Sequence, residues 1–164
     1  MKMKFVVALF GAIKADPELN DMTCFIDSNG HLGDLAWSRV LPVTDGVMLD
    51  VKAFDAKTHA ALTGRDNDKS LASARTVFRA GKLFELRFLM VAGHTDSDWE
   101  ISRLIAFVGS LDLDLRVRLN AFQLHGVRGG AKSWPRMDRE GLERAASRLR
   151  LAGIVNVVTP VVWI

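Results

Sequence analysis

From residue 23 onward, short runs rich in Val, Ile, Leu and Phe alternate with longer stretches in which apolar residues recur every three or four positions. The runs at 23–29, 47–52, 84–91, 115–122 and 155–163 predict β-strands, and the stretches at 35–41, 57–62, 69–81, 97–111 and 139–152 predict helices. Ahead of them, Phe5, Leu9 and Ile13 at i, i+4, i+8, with Val6 and Phe10 beside them, predict an amphipathic first helix. A secretion leader fits this segment less well, because Lys14, Asp16, Pro17 and Glu18 follow it without a small-residue cleavage site. Helix boundaries are legible in places. Ser97 with Glu100 has the spacing of a capping box, Asp138 can cap the helix carrying Leu142, Ala145, Ala146 and Leu149, and Gly81 and Gly153 stand where helices stop.

Strands alternating with helices are the rhythm of a parallel sheet, so the expected class is α/β. Within each strand a second pattern appears. Val47, Leu49 and Val51 point one way and Met48, Asp50 and Lys52 the other. The same split puts Asp27 with Asn29, Glu85 with Arg87, and Arg116 with Arg118, Asn120 and Phe122. A closed barrel fills its interior with aliphatic side chains, and unpartnered buried charge is costly. Four strands with a polar face therefore favour an open, partial (β/α) TIM-like barrel with a polar cavity, the alternative being ion pairs on a solvated sheet face. No repeat, linker or low-complexity tract interrupts the 164 residues, so a single domain over 1–164 is expected.

Composition narrows the function. Hydrophobic residues make up 49% of the chain, enough for one core, and 22 Lys+Arg against 19 Asp+Glu leave only +3, too small a surplus for a dedicated nucleic-acid binder. No apolar run approaches the roughly 18 residues of a membrane span, so no membrane partner is expected and the cytoplasm is the expected compartment. Cys24 is the only cysteine, which excludes an internal disulfide and any zinc or iron–sulfur site built from this chain's own thiols.

Candidate chemistry gathers at strand ends. Asp27, Ser28, Asn29 and Gly30 close one predicted strand, where parallel α/β proteins place functional groups, although the same four residues also make an ordinary turn. Asp50 and Lys52 project a carboxylate and an ammonium from one face, suited to a zwitterion, to proton transfer or simply to each other. Arg87 offers a planar fork to a carboxylate, with Glu85 as its own or Arg118's partner. His94 sits in a strand-to-helix loop and His125 follows the fourth strand, whereas His31 and His59 read as surface or loop residues. Phosphate-binding glycine motifs, nucleophile elbows and paired metal-ligand histidines are absent from the sequence.

Taken in order, Thr23-Cys24-Phe25-Ile26-Asp27-Ser28-Asn29-Gly30, Gly46-Val47-Met48-Leu49-Asp50-Val51-Lys52, Leu62-Thr63-Gly64, Leu86-Arg87-Phe88 and Gly93-His94-Thr95-Asp96 resemble the glycyl-radical enzyme activating enzymes of the pyruvate formate-lyase activase type. That family belongs to the radical S-adenosylmethionine superfamily. The resemblance implies a partial (β/α)6 barrel, a 4Fe–4S cluster that cleaves S-adenosylmethionine, and a glycyl-radical enzyme as protein substrate. Asp27, Ser28, Asp50, Lys52 and Arg87 resemble cofactor-binding positions. Asp27, Ser28, Met48 and Asp50 resemble the surroundings of a monovalent cation.

Two departures qualify the implication. The family's Cys-x3-Cys-x2-Cys loop and Gly-Gly-Glu motif do not occur, so the chain reads as a C-terminal part whose front strands are missing and which lacks cluster chemistry of its own. Where relatives carry Tyr-His near the penultimate strand's end, this chain has Phe122-Gln123 with His125 following, which leaves Gln123 and His125 as the candidates for the adenine side. Two other functions remain. One is a non-catalytic module that docks on a glycyl-radical enzyme or self-associates through a bared sheet edge, with Val161, Val162 and Trp163 among the contacts. The other is a decarboxylase-type barrel using Asp50 and Lys52, since Asp50-x-Lys52-x-x-Asp55 also fits that pattern.

Overall fold

A computed structural model describes residues 3–161. Five strands form one sheet in the order β1-β2-β3-β4-β5, and every pairing is parallel. These are β1 (Phe25–Ser28), β2 (Gly46–Val51), β3 (Leu83–Met90), β4 (Val117–Ala121) and β5 (Val157–Val158). The helices are α1 (Met3–Ala15), α2 (Asp34–Val40), α3 (Ala56–Thr63), α4 (Asp68–Arg79), α5 (Asp98–Gly109) and α6 (Arg139–Leu151). Strand order equals chain order, so there is no reversal point of the doubly wound kind. Right-handed crossovers that always step the same way place their helices on one face and leave the other face open, as in a slice of a barrel.

Burial follows that geometry. Val47, Leu49, Val51, Leu86, Phe88, Met90, Val117 and Leu119 are fully buried and share one core cluster with Trp37 and Val40 of α2, Val77 of α4, Leu104 and Val108 of α5, and Leu142 and Leu149 of α6. Intervening residues Met48, Asp50, Arg87, Arg118 and Asn120 are only half-buried. The expected two-faced strands are present, and α1 adds Met3, Val6, Val7 and Phe10 to the rim of the core.

The register contains a bulge. Val47 pairs with Leu83 but Met48 pairs with Glu85, so Phe84 is an extra residue between them. Phe84 stands 4.9 Å edge-on from Phe25, and a Cβ on the intervening Gly46 would come 2.4 Å from the Phe25 ring. The missing side chain at Gly46 lets Phe25 lie across β2, laying an aromatic floor under the charged layer above it.

Two expectations need correction. The last strand is two residues long rather than spanning 155–163, because Val155 is exposed and Pro160 has no N–H for a ladder. Of the contact residues expected there, Val161 is exposed while Val162 and Trp163 lie outside the described residues. His59 is 4% exposed and belongs to α3 rather than to a surface or a loop. Asp138 accepts from Gly141 N as expected, Ser97 accepts from Glu100 N without the reciprocal Glu100 bond of a capping box, and Gly81 and Gly153 take φ of +67° and +91°.

Candidate functional site

The open face carries a network that runs across the strands. Glu85 is 1% exposed and its carboxylate takes Arg87 Nε at 2.7 Å, Arg116 Nε at 2.7 Å and Arg118 Nε at 3.1 Å. Burial by itself pushes the Glu85 carboxyl up, but hydrogen bonds from the three guanidinium groups outweigh it and hold the group below its ordinary value. Arg87 also donates Nη1 to Asp27 Oδ2 and Nη2 to Met48 Sδ, each at 2.7 Å, so one fork ties β1, β2 and β3 together. Burial would ease loss of its proton, yet Glu85 and Asp27 more than offset that and keep the guanidinium charged.

Above this layer, at the carboxyl ends of β1 and β2, lies a cleft of about 660 Å³ lined by Asp27, Ser28, His31, Lys52, Thr63 and Arg65, among others. Lys52 Nζ is 2.7 Å from Asp50 Oδ2, so the two residues read as a pair do project together. The β1 turn is fixed from α4. Ser70 Oγ donates to Asn29 O at 2.9 Å, and Ser73 Oγ donates to Gly30 O at 2.6 Å while accepting from Trp37 Nε1 at 2.8 Å. Ser28 points inward and accepts from Gly30 N, which is why a strand-end serine is buried here. The far wall is α3, where His59 Nδ1 lies 2.8 Å from Arg65 O and 3.1 Å from Thr63 Oγ1, and Arg65 Nη1 reaches His31 Nε2 at 3.2 Å.

The structure thus brings together Asp27, Ser28, Met48, Asp50, Lys52 and Arg87. Gln123 and His125 do not join them; Gln123 is half-buried and His125 exposed beyond β4, and neither lines the cleft. His94 instead packs at a tilt of 40° against Trp134, with ring centroids 4.6 Å apart. Sequence reasoning missed His31, His59 and Arg65 as wall residues, and only Leu62-Thr63-Gly64 hinted at that side. Asp55, third member of the decarboxylase pattern, accepts from Thr58 N and Oγ1 as the cap of α3, and these bonds hold its carboxyl below the usual range. Asp27 and Met48 are each bonded to Arg87, and Asp50 to Lys52, so these three residues are already tied to two cationic side chains. Among the described residues, no three or more His, Cys, Asp or Glu are grouped to hold a metal ion, and no helix is long and apolar enough to cross a membrane.

This sequentially ordered parallel sheet is a fold shared with a radical SAM methyltransferase from Sphaerobacter thermophilus, with a TM-score of 0.67 over 90% of this chain and 44% of that one at 17% identity. The chain superimposes with a TM-score of 0.78 on a domain of pyruvate-formate lyase-activating enzyme from Bacteroides vulgatus, covering 96% of this chain and 92% of that one at 14% identity. It also matches Streptococcus suis SuiB bound to S-adenosylmethionine, with a TM-score of 0.67 over 94% of this chain and 36% of that one at 17% identity. Sequence comparison goes further: the chain is related to the pyruvate formate-lyase-activating enzymes, as the resemblance of its strand-end motifs implied. It is 31% identical over 113 residues to the Streptococcus mutans enzyme, covering 68% of this chain and 43% of that protein. To the Staphylococcus aureus enzyme it is 29% identical over 117 residues, covering 68% and 45%. The chain spans less than half the length of these curated relatives. No family model matches the sequence.

Proposed function

We propose that residues 1–164 form one domain, the part of a radical S-adenosylmethionine activase that holds the cofactor's amino-acid moiety, in a protein that installs a glycyl radical on a partner glycyl-radical enzyme. The observation that carries this reading is the pairing of opposite charges at one cleft mouth. Lys52 and Arg65 offer an ammonium and a guanidinium to a carboxylate, while Asp27 offers an exposed carboxylate to an ammonium, around a volume suited to a nucleoside-sized ligand. The S-adenosylmethionine in the SuiB structure supports the choice of zwitterion, and the relatives' names support the activase role.

An iron–sulfur cluster does not fit the residues of this chain. Such a cluster takes three thiolates here plus the cofactor, and the single cysteine, Cys24, is buried at 3% exposure beside β1, its amide bonded to Asp45. The role assigned to these residues is therefore to bind and orient, and no electron-transfer step runs through them.

Calorimetric titration with S-adenosylhomocysteine, which shares the amino-acid and nucleoside parts, tests the reading. Saturable one-site binding is expected, weakened about tenfold or more by Lys52→Ala. Absence of heat at millimolar ligand overturns it.

A second reading, self-association, rests on the outer edge of β1, which pairs with no strand among the described residues. Sedimentation equilibrium at high concentration tests it, a clean monomer counting against it.

A further inference from the structure

Lys52 is the first residue past the paired part of β2, whose ladder ends with Val51 opposite Phe88. Its position therefore depends on residues 53–55, and two buried side chains from distant elements hold that loop by its peptide groups. Glu100, on α5, accepts from Phe54 N at 2.7 Å and from Asp55 N at 2.9 Å. Asn67, just ahead of α4, donates Nδ2 to Ala53 O at 3.1 Å and to Phe54 O at 2.7 Å. Glu100 is 2% and Asn67 3% exposed. The Phe54 ring completes the clamp against Phe88 and Phe107, at 5.8 and 5.5 Å between centroids.

Glu100 stands where a capping box would turn its carboxylate back to the Ser97 amide, and it spends both oxygens on another loop instead. Burial raises its carboxyl against the pull of the two amide donors, a cost that surface capping would not incur. An aliphatic side chain at this site would have no acceptor for the Phe54 and Asp55 amides and could not fix the loop.

We propose that Glu100, with Asn67, is a positioning residue that fixes residues 53–55 and thereby sets the Lys52 ammonium against Asp50 at the cleft. The geometric part stands on the bonds above; its consequence for ligand affinity rests on the S-adenosylmethionine reading.

Competitive labelling of the full chain with trace acetic anhydride tests it. The Lys52 rate is read against Lys82 and Lys132, which belong to neither the loop nor the elements that hold it and report any general loosening. In Glu100→Gln, where an NH2 replaces one of the two accepting oxygens and faces an N–H group, the Lys52 ratio is expected to rise about tenfold. Asn67→Ala is expected to move it the same way. If Glu100→Gln raises all lysines together, it has unfolded, and the Asn67→Ala ratio decides. An unchanged ratio in folded variants overturns the proposal. S-adenosylhomocysteine titration separates the two readings. A shifted ratio in a chain whose wild type binds no ligand sinks the cofactor reading and leaves the positioning role, whereas normal binding with unchanged ratios does the reverse. Glu100→Gln made in Lys52→Ala should cause no further loss of affinity.

Discussion

Arg87 on β3 reaches past β2 to Asp27 on β1, with Nη1 and Oδ2 2.7 Å apart, while its Nε holds buried Glu85. The two ends of this fork are unequal. Glu85 is almost wholly buried, whereas the Asp27 side chain is 60% exposed, so the Asp27 bond resembles a surface ion pair, worth less than about 1 kcal/mol. Asp27→Asn should leave the denaturation midpoint nearly unchanged yet weaken S-adenosylhomocysteine about tenfold, if its carboxylate receives the ligand's ammonium. A large loss of stability with normal binding would instead make Asp27 structural.

Gly30 is held to glycine by two independent constraints. Its φ of +71° is in the left-handed region, and a Cβ there would come 2.9 Å from Ser70 Cα, which is backbone and cannot swing away. Gly30→Ala should therefore cost about 2–4 kcal/mol in urea denaturation and detach the turn from the Ser70 and Ser73 hydroxyls. Gly46→Ala meets a ring rather than backbone, so it should cost less, about 1–2 kcal/mol, and shift the Phe25 aromatic resonances.

The two-residue alternation made the open face legible, because each strand carries its own record of which side chains share a side. Asp50 with Lys52, and Glu85 with Arg87, could be read that way. What one strand cannot record is its register with the next. The convergence of Arg116 and Arg118 on Glu85 depends on the register of β3 against β4, which sets Arg87 opposite Arg118. His59 misled for a different reason. A lone histidine in a short polar helix carries no sign of the Thr63 and Arg65 groups that fold back onto it. Glu100 had a sufficient local explanation as half of a capping box, which hid its bonds to residues 46 and 45 positions away.

Cys24 gives a chemical prediction. Anaerobic incubation of the chain with ferrous iron and sulfide should leave no 4Fe–4S absorbance or reduced-state paramagnetic signal, since one buried thiol cannot replace three. A stoichiometric cluster signal, lost in Cys24→Ala, would overturn the assignment of binding alone.

The two buried glutamates should act on acid stability with opposite signs. Folding lowers the Glu85 carboxyl from 4.5, so its stabilisation is fully present above that pH and is lost as pH falls through the lowered value. Folding raises the Glu100 carboxyl from 4.5, so its ionisation costs stability, and that cost accrues as pH rises from 4.5 through the raised value. Glu85→Gln should lower stability at pH 7 by about 2–3 kcal/mol and flatten the fall below pH 4.5, because three guanidinium groups lose their shared acceptor. Glu100→Gln should flatten the slope above pH 4.5 instead. Urea denaturation from pH 3 to 8 separates them, and equal slopes in both variants and the wild type would mean that neither carboxylate titrates with folding.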